Sequence, residues 1–341
     1  MEADTIKRRE FILLLGSAAT WPLAEQPGRM HRSRVPMAEQ RAIRRVGVLG
    51  PGAPADSGHF ASAFVQGLKI AGYVDGENVA LEYRWAEGRN ERLPQLAAEL
   101  VQSGVAVIAV GGPPATLAAK SATSTVPIVA VMGDADMLLK LVGNFNRPNG
   151  NITGVAVFVT AAIWGKRLEL LHEMMPRASV VAILTNPTDQ GSPTIGELVS
   201  ITRPLQLRLL PVTASTDVEI DTAFATAVNA HADGLLVSDW PFFTVRHDRI
   251  AELASRHRLP TIYAWREYVA AGGLISYGSR LTDAWHQVGV YVGRILNGEK
   301  PADLPIVQPT KFEMIINLRA AKALGLTVPN NLLVTADEVI E

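Results

Sequence analysis

The sequence predicts an α/β protein with two doubly wound, parallel-sheet lobes. Short apolar runs rich in β-branched residues alternate with amphipathic segments, and this alternation occurs in two successive series. Such an order is typical of parallel sheets covered by helices. A length of 341 residues suggests two domains. In addition, polar residues directly follow several of the apolar runs, where open α/β sheets bind ligands.

The first series begins at residue 45. Val, Ile and Tyr in short runs favour strands, because these side chains fill a pleated surface. We predict strands at residues 46–49, 79–83, 105–110, 128–131 and 151–158. Between them, apolar residues at helical spacing predict helices at residues 60–70, 93–102 and 114–122.

The second series repeats the pattern. Helices are predicted at residues 162–174, 194–202, 219–229 and 244–257, and strands at residues 180–184, 207–211, 234–237 and 261–263. A further strand at residues 274–277 follows with only a short helical piece before it. Since no full crossover helix separates the last two strands, we expect the chain to leave one sheet for the other between them. A helix (283–296), a Pro-rich link (301–309), a strand (311–317) and a helix (318–324) complete the chain.

These elements predict a division into two lobes with a hinge. Residues 45–154 and 274–310 are assigned to lobe 1, and residues 155–273 and 311–341 to lobe 2. The chain is expected to pass between the lobes near residues 153–157, 271–274 and 310–314. Several crossings of this kind allow the lobes to close on a ligand in the cleft between them.

The N-terminus has the order of an export signal. Basic residues including Arg8 and Arg9 precede an apolar run at residues 11–19, which is too short for a bilayer that needs about 20 apolar residues. We predict a signal at residues 1–24, with twin-arginine character, and a disordered Pro- and Arg-rich linker at residues 25–44. The mature chain is then periplasmic. The alternatives are an amphipathic helix, or an internal start at Met30.

Composition argues against several functions. The net charge of −1 and the sequence pI of about 6.7 lack the basic excess of nucleic-acid-binding proteins. The absence of Cys excludes a thiolate metal site, a cysteine nucleophile and a lipid-modified N-terminal Cys. The seven His form no H-E-x-x-H motif, and the chain has neither G-x-S-x-G nor a nucleotide phosphate loop. We therefore predict no catalytic residue, metal or cofactor.

A candidate anion site follows the third strand. Gly111, Gly112, Pro113 and Thr116 lie where this strand ends and a helix begins. Free N–H groups and the helix dipole favour a carboxylate or phosphate at such a position. The alternative is a plain tight turn, for which glycine is equally suited.

Further candidates follow strands or the helical piece after them. The acids and amide are Asp134, Asn186, Asp239 and Glu267, and the aromatic residues are Phe242, Phe243 and Trp265. Each polar residue has the alternative of a helix cap or Asx-turn, and each aromatic residue that of the core. Together, acids opposite an anion-binding helix end predict a site for a zwitterionic, amino-acid-like ligand.

Several segments carry a family resemblance. Among them are NRPNGNITGV (146–155), REYVAAGGLISYG (266–278) and the long block from TDAWHQVGV to GLTVP (282–329). The chain resembles the ABC-transporter substrate-binding proteins of the tryptophan/tyrosine type over nearly its whole length. This resemblance implies a type I periplasmic binding protein fold, no catalysis, and delivery of a small ligand to a membrane permease with its ATPase.

The functional prediction is therefore a periplasmic solute receptor, monomeric and without a nucleic-acid partner. A sugar-repressor-like regulator shares the bilobal fold but requires a helix-turn-helix before residue 46, which the Pro- and Arg-rich segment does not predict. An α/β enzyme is the other alternative, and turnover of the bound molecule would reveal it.

Overall fold

The computed structural model describes residues 43–341 apart from 134, 158–159, 190 and 309–310, and it omits the side chains of residues 55, 56 and 135. The predicted signal, most of the predicted linker and Asp134 thus lie outside the described residues. Within this part of the chain, no helix is both long and apolar enough to cross a membrane.

The first sheet is entirely parallel and five-stranded, in the order β2-β1-β3-β4-β5. Its strands are β1 (Arg44–Gly50), β2 (Val79–Trp85), β3 (Val107–Gly111), β4 (Ile128–Met132) and β5 (Ile152–Ala156). Helices α1 (Pro54–Ile70), α2 (Leu93–Gln102), α3 (Gly112–Ala122) and α4 (Ala135–Val142) connect them. β1, β3, β4 and β5 are buried over almost their whole length, as continuous apolar runs predict for a sheet covered on both faces.

The second sheet has seven strands in the order β12-β11-β10-β9-β8-β6-β7. They are β6 (Val180–Thr185), β7 (Arg208–Thr213), β8 (Gly234–Val237), β9 (Thr261–Tyr263), β10 (Ile275–Gly278), β11 (Glu313–Asn317) and β12 (Glu338–Ile340). The sheet is parallel except where β10 meets β11 in antiparallel fashion.

Nine helices accompany this second half of the described chain. They are α5 (Ala161–Met174), α6 (Ile195–Ile201), α7 (Asp217–Asn229), α8 (Pro241–Thr244), α9 (His247–Arg256), α10 (Arg266–Ala270), α11 (Leu281–Leu296), α12 (Leu318–Ala323) and α13 (Asn330–Thr335). Short 3₁₀ turns lie at Asn90–Arg92, Arg203–Leu205 and Pro301–Asp303.

The predicted fold class is confirmed, because the structure has two α/β lobes built on largely parallel sheets. The bounds of α2, β8 and β9 agree with the prediction to the residue. Three short elements, α4, α13 and β12, were not predicted. The helix expected at residues 244–257 is divided into α8 and α9, since Arg246 between them has a non-helical φ of −119°.

The expected passage between sheets after β9 is wrong. β9 and β10 pair in parallel within one sheet, with Ile275 opposite Ile262 and Ser276 opposite Tyr263. The connection that includes α10 is short, yet it returns the chain to the same edge through a turn at Gly272, whose φ is +100°. Residues 274–278 therefore belong to the second sheet, and the chain leaves that sheet only after Gly278.

The helix that follows packs in the first lobe. α11 lies against α1 and against β3, β4 and β5. The α1–α11 contact brings the two backbones together: a Cβ atom at Gly67 would lie 2.0 Å from the carbonyl oxygen of His286, and one at Gly289 would lie 2.1 Å from that of Phe64. Only glycine permits this approach.

An ion pair joins two of the chain passages between the sheets. The chain passes after β5, after β10, and again between residue 307 and β11, where Val307 first pairs with Val155. Arg280, directly after β10, donates from Nε to the Glu313 carboxylate at 2.6 Å. Glu313 also accepts from Arg266 at 3.1 Å, and its side chain is 8% exposed. This network is conformationally coupled to the passages that we predict to act as the hinge.

The close helix contact generates a stability prediction. Replacing Gly67 with Ala is expected to lower the free energy of unfolding by about 1 to 3 kcal/mol, because the new methyl group would overlap the His286 carbonyl and force α1 from α11. Denaturant unfolding curves measure this change.

Gly58→Ala, in the same helix, is the matched control. A Cβ atom at this exposed position meets nothing within 4 Å. Since Ala is the better helix former, the substitution should raise stability by up to about 1 kcal/mol. Equal effects of the two substitutions would contradict the tight packing described.

Candidate ligand-binding site

A cavity of about 130 Å³ lies between the two lobes. One water molecule needs roughly 10–15 Å³ of such space, so the cavity is large enough for a small organic molecule. The lining residues come from both sheets at the carboxyl ends of their strands, together with α1 and α11. This is the position at which open α/β sheets bind ligands.

Four tryptophans form much of the wall, two from each lobe. Trp85 ends β2 and Trp285 lies in the second turn of α11, whereas Trp240 and Trp265 precede α8 and α10 in the second lobe. Phe60 stacks near Trp285, with ring centroids 6.5 Å apart. The result is a largely apolar, aromatic interior, which is typical of sites for small organic ligands.

The tryptophans of the first lobe depend on glycines at the strand ends. A Cβ atom at Gly50 would lie 2.4 Å from Cζ3 of Trp85, and one at Gly111 would lie 2.8 Å from Cζ2 of Trp285. The rings therefore lie directly on the backbone of β1 and β3. Any larger residue at these two positions would displace an aromatic wall.

The two lobes contact each other across the cleft. A Cβ atom at Gly112 would lie 2.7 Å from Cγ of Pro241, and one at Gly133 would lie 3.2 Å from Oδ2 of Asp239. Near the cleft, His59 of α1 lies 3.2 Å from the Glu267 carboxylate of α10. The arrangement is thus a closed one, with lobe-to-lobe contacts around the cavity.

Five of the predicted site residues line the cavity. Gly111, Gly112 and Pro113 do so from the first lobe, and Asp239 and Trp265 from the second. The first turn of α3 offers fewer donors than predicted for an anion site, because Pro113 and Pro114 have no N–H group. Thr116 is fully buried and donates to the Gly112 carbonyl at 2.9 Å within the helix.

The other described candidates have structural partners. Asn186 donates to the Ala214 carbonyl at 2.9 Å and accepts from Thr188, as an Asx-turn residue does. Glu267 faces His59 and is absent from the described lining.

Phe242 and Phe243 pack edge to face in the core, with ring centroids 5.2 Å apart. Arg246 lies over the Phe242 ring, 3.9 Å from its centroid. These two rings are likewise outside the described lining. A ligand-binding role for these four residues stays a prediction.

Sequence reasoning missed three of the four tryptophans. Trp85 and Trp240 directly end or follow strands, so the signal that singled out Trp265 applied to them as well. Trp285 had no such signal, because only the packing of α11 against the first lobe brings it to the cavity. Asp189, also in the lining, accepts from the backbone of Gly191 at 3.0 Å.

Comparison with known proteins identifies the family. The profile described as ABC transporter substrate binding protein matches residues 57–340. The chain belongs to this family. Binding of a solute for an ABC transporter is therefore its function, and the family consists of binding proteins rather than enzymes.

Similar proteins support the same assignment. A "Tyrosine-binding protein" of Clostridioides difficile is 23% identical over 270 residues, which cover 77% of this chain and 75% of the relative. A solved conserved domain protein from Vibrio cholerae is 24% identical, covers 87% of this chain and 99% of its own, and has a TM-score of 0.79. An ABC domain in complex with L-Trp from Streptococcus pneumoniae is 22% identical, covers 88% and 100% of the two chains, and has a TM-score of 0.78.

These structures show that the substrate-binding protein has the type I periplasmic binding fold, as the resemblance implied. In this fold, the cavity between the lobes is the position for a solute. The described residues contain no group of three or more His, Cys, Asp and Glu suited to a metal ion.

The cross-cleft contact predicts an effect on closure. Gly112→Ala should keep this substrate-binding protein more open, because the new Cβ atom would overlap Pro241 of the opposite lobe. Small-angle scattering at a saturating ligand concentration should give a larger radius of gyration than for the unsubstituted protein.

Gly104→Ala is the control for backbone strain. Both glycines have positive φ, +82° at Gly112 and +75° at Gly104, but a Cβ atom at Gly104 meets nothing within 4 Å. Each substitution should cost about 1–2 kcal/mol in backbone strain, while only that at Gly112 changes the radius of gyration. A change of equal size in the control would show that strain, not contact between the lobes, is responsible.

Proposed function

We propose that this protein captures a small, amine-bearing ligand, amino-acid-like or aromatic, in the cavity between its lobes and delivers it to a membrane permease. The observation that carries this proposal is the cavity itself, where tryptophan rings from both lobes surround the carboxylate of Asp239. An aromatic wall binds a flat apolar group, and an acid binds an ammonium group. The tyrosine-binding relative and the L-Trp complex support the same ligand class.

Delivery to a permease requires that the lobes open and close. A ligand that contacts both lobes stabilises the closed state, since its contacts are complete only there. We propose that the permease and its ATPase recognise this closed state, and that the protein works as a monomer in the periplasm. The Arg8-Arg9 segment supports export by the twin-arginine route.

A direct test identifies the bound molecule. Native mass spectrometry of freshly purified protein should show a co-purifying small amine. Calorimetric titration of ligand-free protein with L-tryptophan, L-tyrosine and their amines should then give saturable binding. Recovery of the added compound unchanged after prolonged incubation distinguishes this function from that of an α/β enzyme, whereas conversion into a product would contradict it.

Substitution of the two acids distinguishes the cavity from its edge. Asp239→Asn is expected to weaken binding of the amine about thirtyfold or more, since removing a buried charge partner typically costs about 2–5 kcal/mol. Glu267→Gln should change the affinity by less than about threefold, because Glu267 pairs with His59 outside the described lining. Calorimetry on both variants, with thermal unfolding as a check on folding, measures the contrast. Unchanged affinity in Asp239→Asn would show that this acid is structural.

A further inference from the structure

The charge of the cavity lining is one-sided. Its charged residues within the described part of the chain are Asp189 and Asp239, and no Lys, Arg or His is among them. The undescribed positions and side chains between residues 43 and 341 contribute no Lys, Arg or His either. A ligand in this cavity therefore meets carboxylates and no cationic side chain of the described lining.

The aromatic wall acts in the same direction. The face of an indole ring carries partial negative charge, and Trp is the aromatic residue that attracts cations most strongly. Four such rings line the cavity, at Trp85, Trp240, Trp265 and Trp285. Rings from both lobes around one space, together with carboxylates, resemble the aromatic cages that bind ammonium groups. The same faces disfavour a ligand carboxylate.

The basic residues nearby are directed elsewhere. Arg167 on α5 is fully buried and outside the lining, and its Nε donates to the Tyr277 carbonyl at 2.9 Å. Burial lowers the pKa of Arg167 to about 10, while the negative charge of Asp239 acts in the opposite direction. Arg167 thus offsets part of the charge of Asp239 from inside the second lobe. His59, next to the lining residue Phe60, faces Glu267.

Backbone donors do not replace the missing cation. The helix end best placed for a carboxylate is that of α3, and prolines occupy two of its first three positions. Gly112 in this turn packs against Pro241. A carboxylate enclosed here would lose its water and gain few donors in return, which is unfavourable for a charged group.

We infer that the cavity selects an organic cation, namely an aromatic amine without a carboxylate, over the corresponding zwitterionic amino acid. This inference rests on the proposed function and narrows its ligand class. The ammonium group lies among the tryptophan faces and Asp239, and the aromatic group fills the apolar part of the cavity. The carboxylate of an amino acid is the group that the site does not accommodate.

Matched ligand pairs test the inference on the unsubstituted protein. Ligand-free protein is titrated by calorimetry with tryptamine and L-tryptophan, and with tyramine and L-tyrosine. Tryptophol and indole-3-propionate serve as the neutral and anionic counterparts of tryptamine. Each amine is expected to bind at least about tenfold more tightly than its amino acid, because an unpaired buried group costs about that factor or more. Indole-3-propionate should bind most weakly.

The outcomes separate this inference from the proposed function. If the amino acids bind as tightly as the amines or more tightly, the preference for a cation is wrong and the proposed function stands. If only the anion binds, or none of these compounds does, both are wrong.

A substitution tests the source of the preference. Asp239→Asn should reduce the affinity for tryptamine at least about tenfold and that for tryptophol by less than about threefold, since only the amine is charged. Asp303→Asn is the matched control, at an exposed position outside the described lining. Equal losses for both ligands would show that Asp239 maintains the shape of the cavity rather than its charge, and would contradict the inference.

Discussion

The contact between α1 and α11 is the constraint on which the two-lobed arrangement depends. The chain enters α11 from the second sheet, yet this helix packs on the first lobe. It does so because Gly67 and Gly289 let the two helix backbones meet directly. The contact ties the last third of the chain to the lobe formed by its first third. It also places the passage between the lobes at residues 279–280 instead of before β10.

The cavity follows from this packing. With α11 held against α1, its first turns lie at the strand ends of the first sheet, and Leu281 and Trp285 become part of the wall. Glycines at those strand ends then determine how deeply the rings lie: Trp85 covers Gly50, and Trp285 covers Gly111. The second lobe adds its own two tryptophans through residues that begin short helices. A site shared equally by both lobes couples ligand contact to closure.

Electrostatics give the cavity its chemical character. Closure excludes water, so every charged group inside must find a partner among protein groups or the ligand. The lining contributes two acids, one of them in the electrostatic range of the buried Arg167. Neither Nη atom of Arg167 has a hydrogen-bond partner among the residues that the structure describes. Its charge is therefore balanced mainly at a distance, which links the core of the second lobe to the cavity wall.

The sequence by itself determined the α/β class, most of the element bounds and the family. Apolar periodicity is a local property, and the buried parallel strands such as β8 are short apolar runs that can be read directly. It also placed Asp239 and Trp265 correctly in the cavity, since both follow strands whose carboxyl ends must face the cleft.

The tertiary structure alone decided which of these elements meet. The pairing of β9 with β10, the packing of α11 on the first lobe and the place of Trp285 all depend on contacts between residues far apart in sequence. The same holds for Glu267, which a strand-end rule placed in the cavity but which pairs with His59 of the opposite lobe. Hydrogen-bonding patterns along one segment do not specify its partner, because that choice depends on the packing of the whole core.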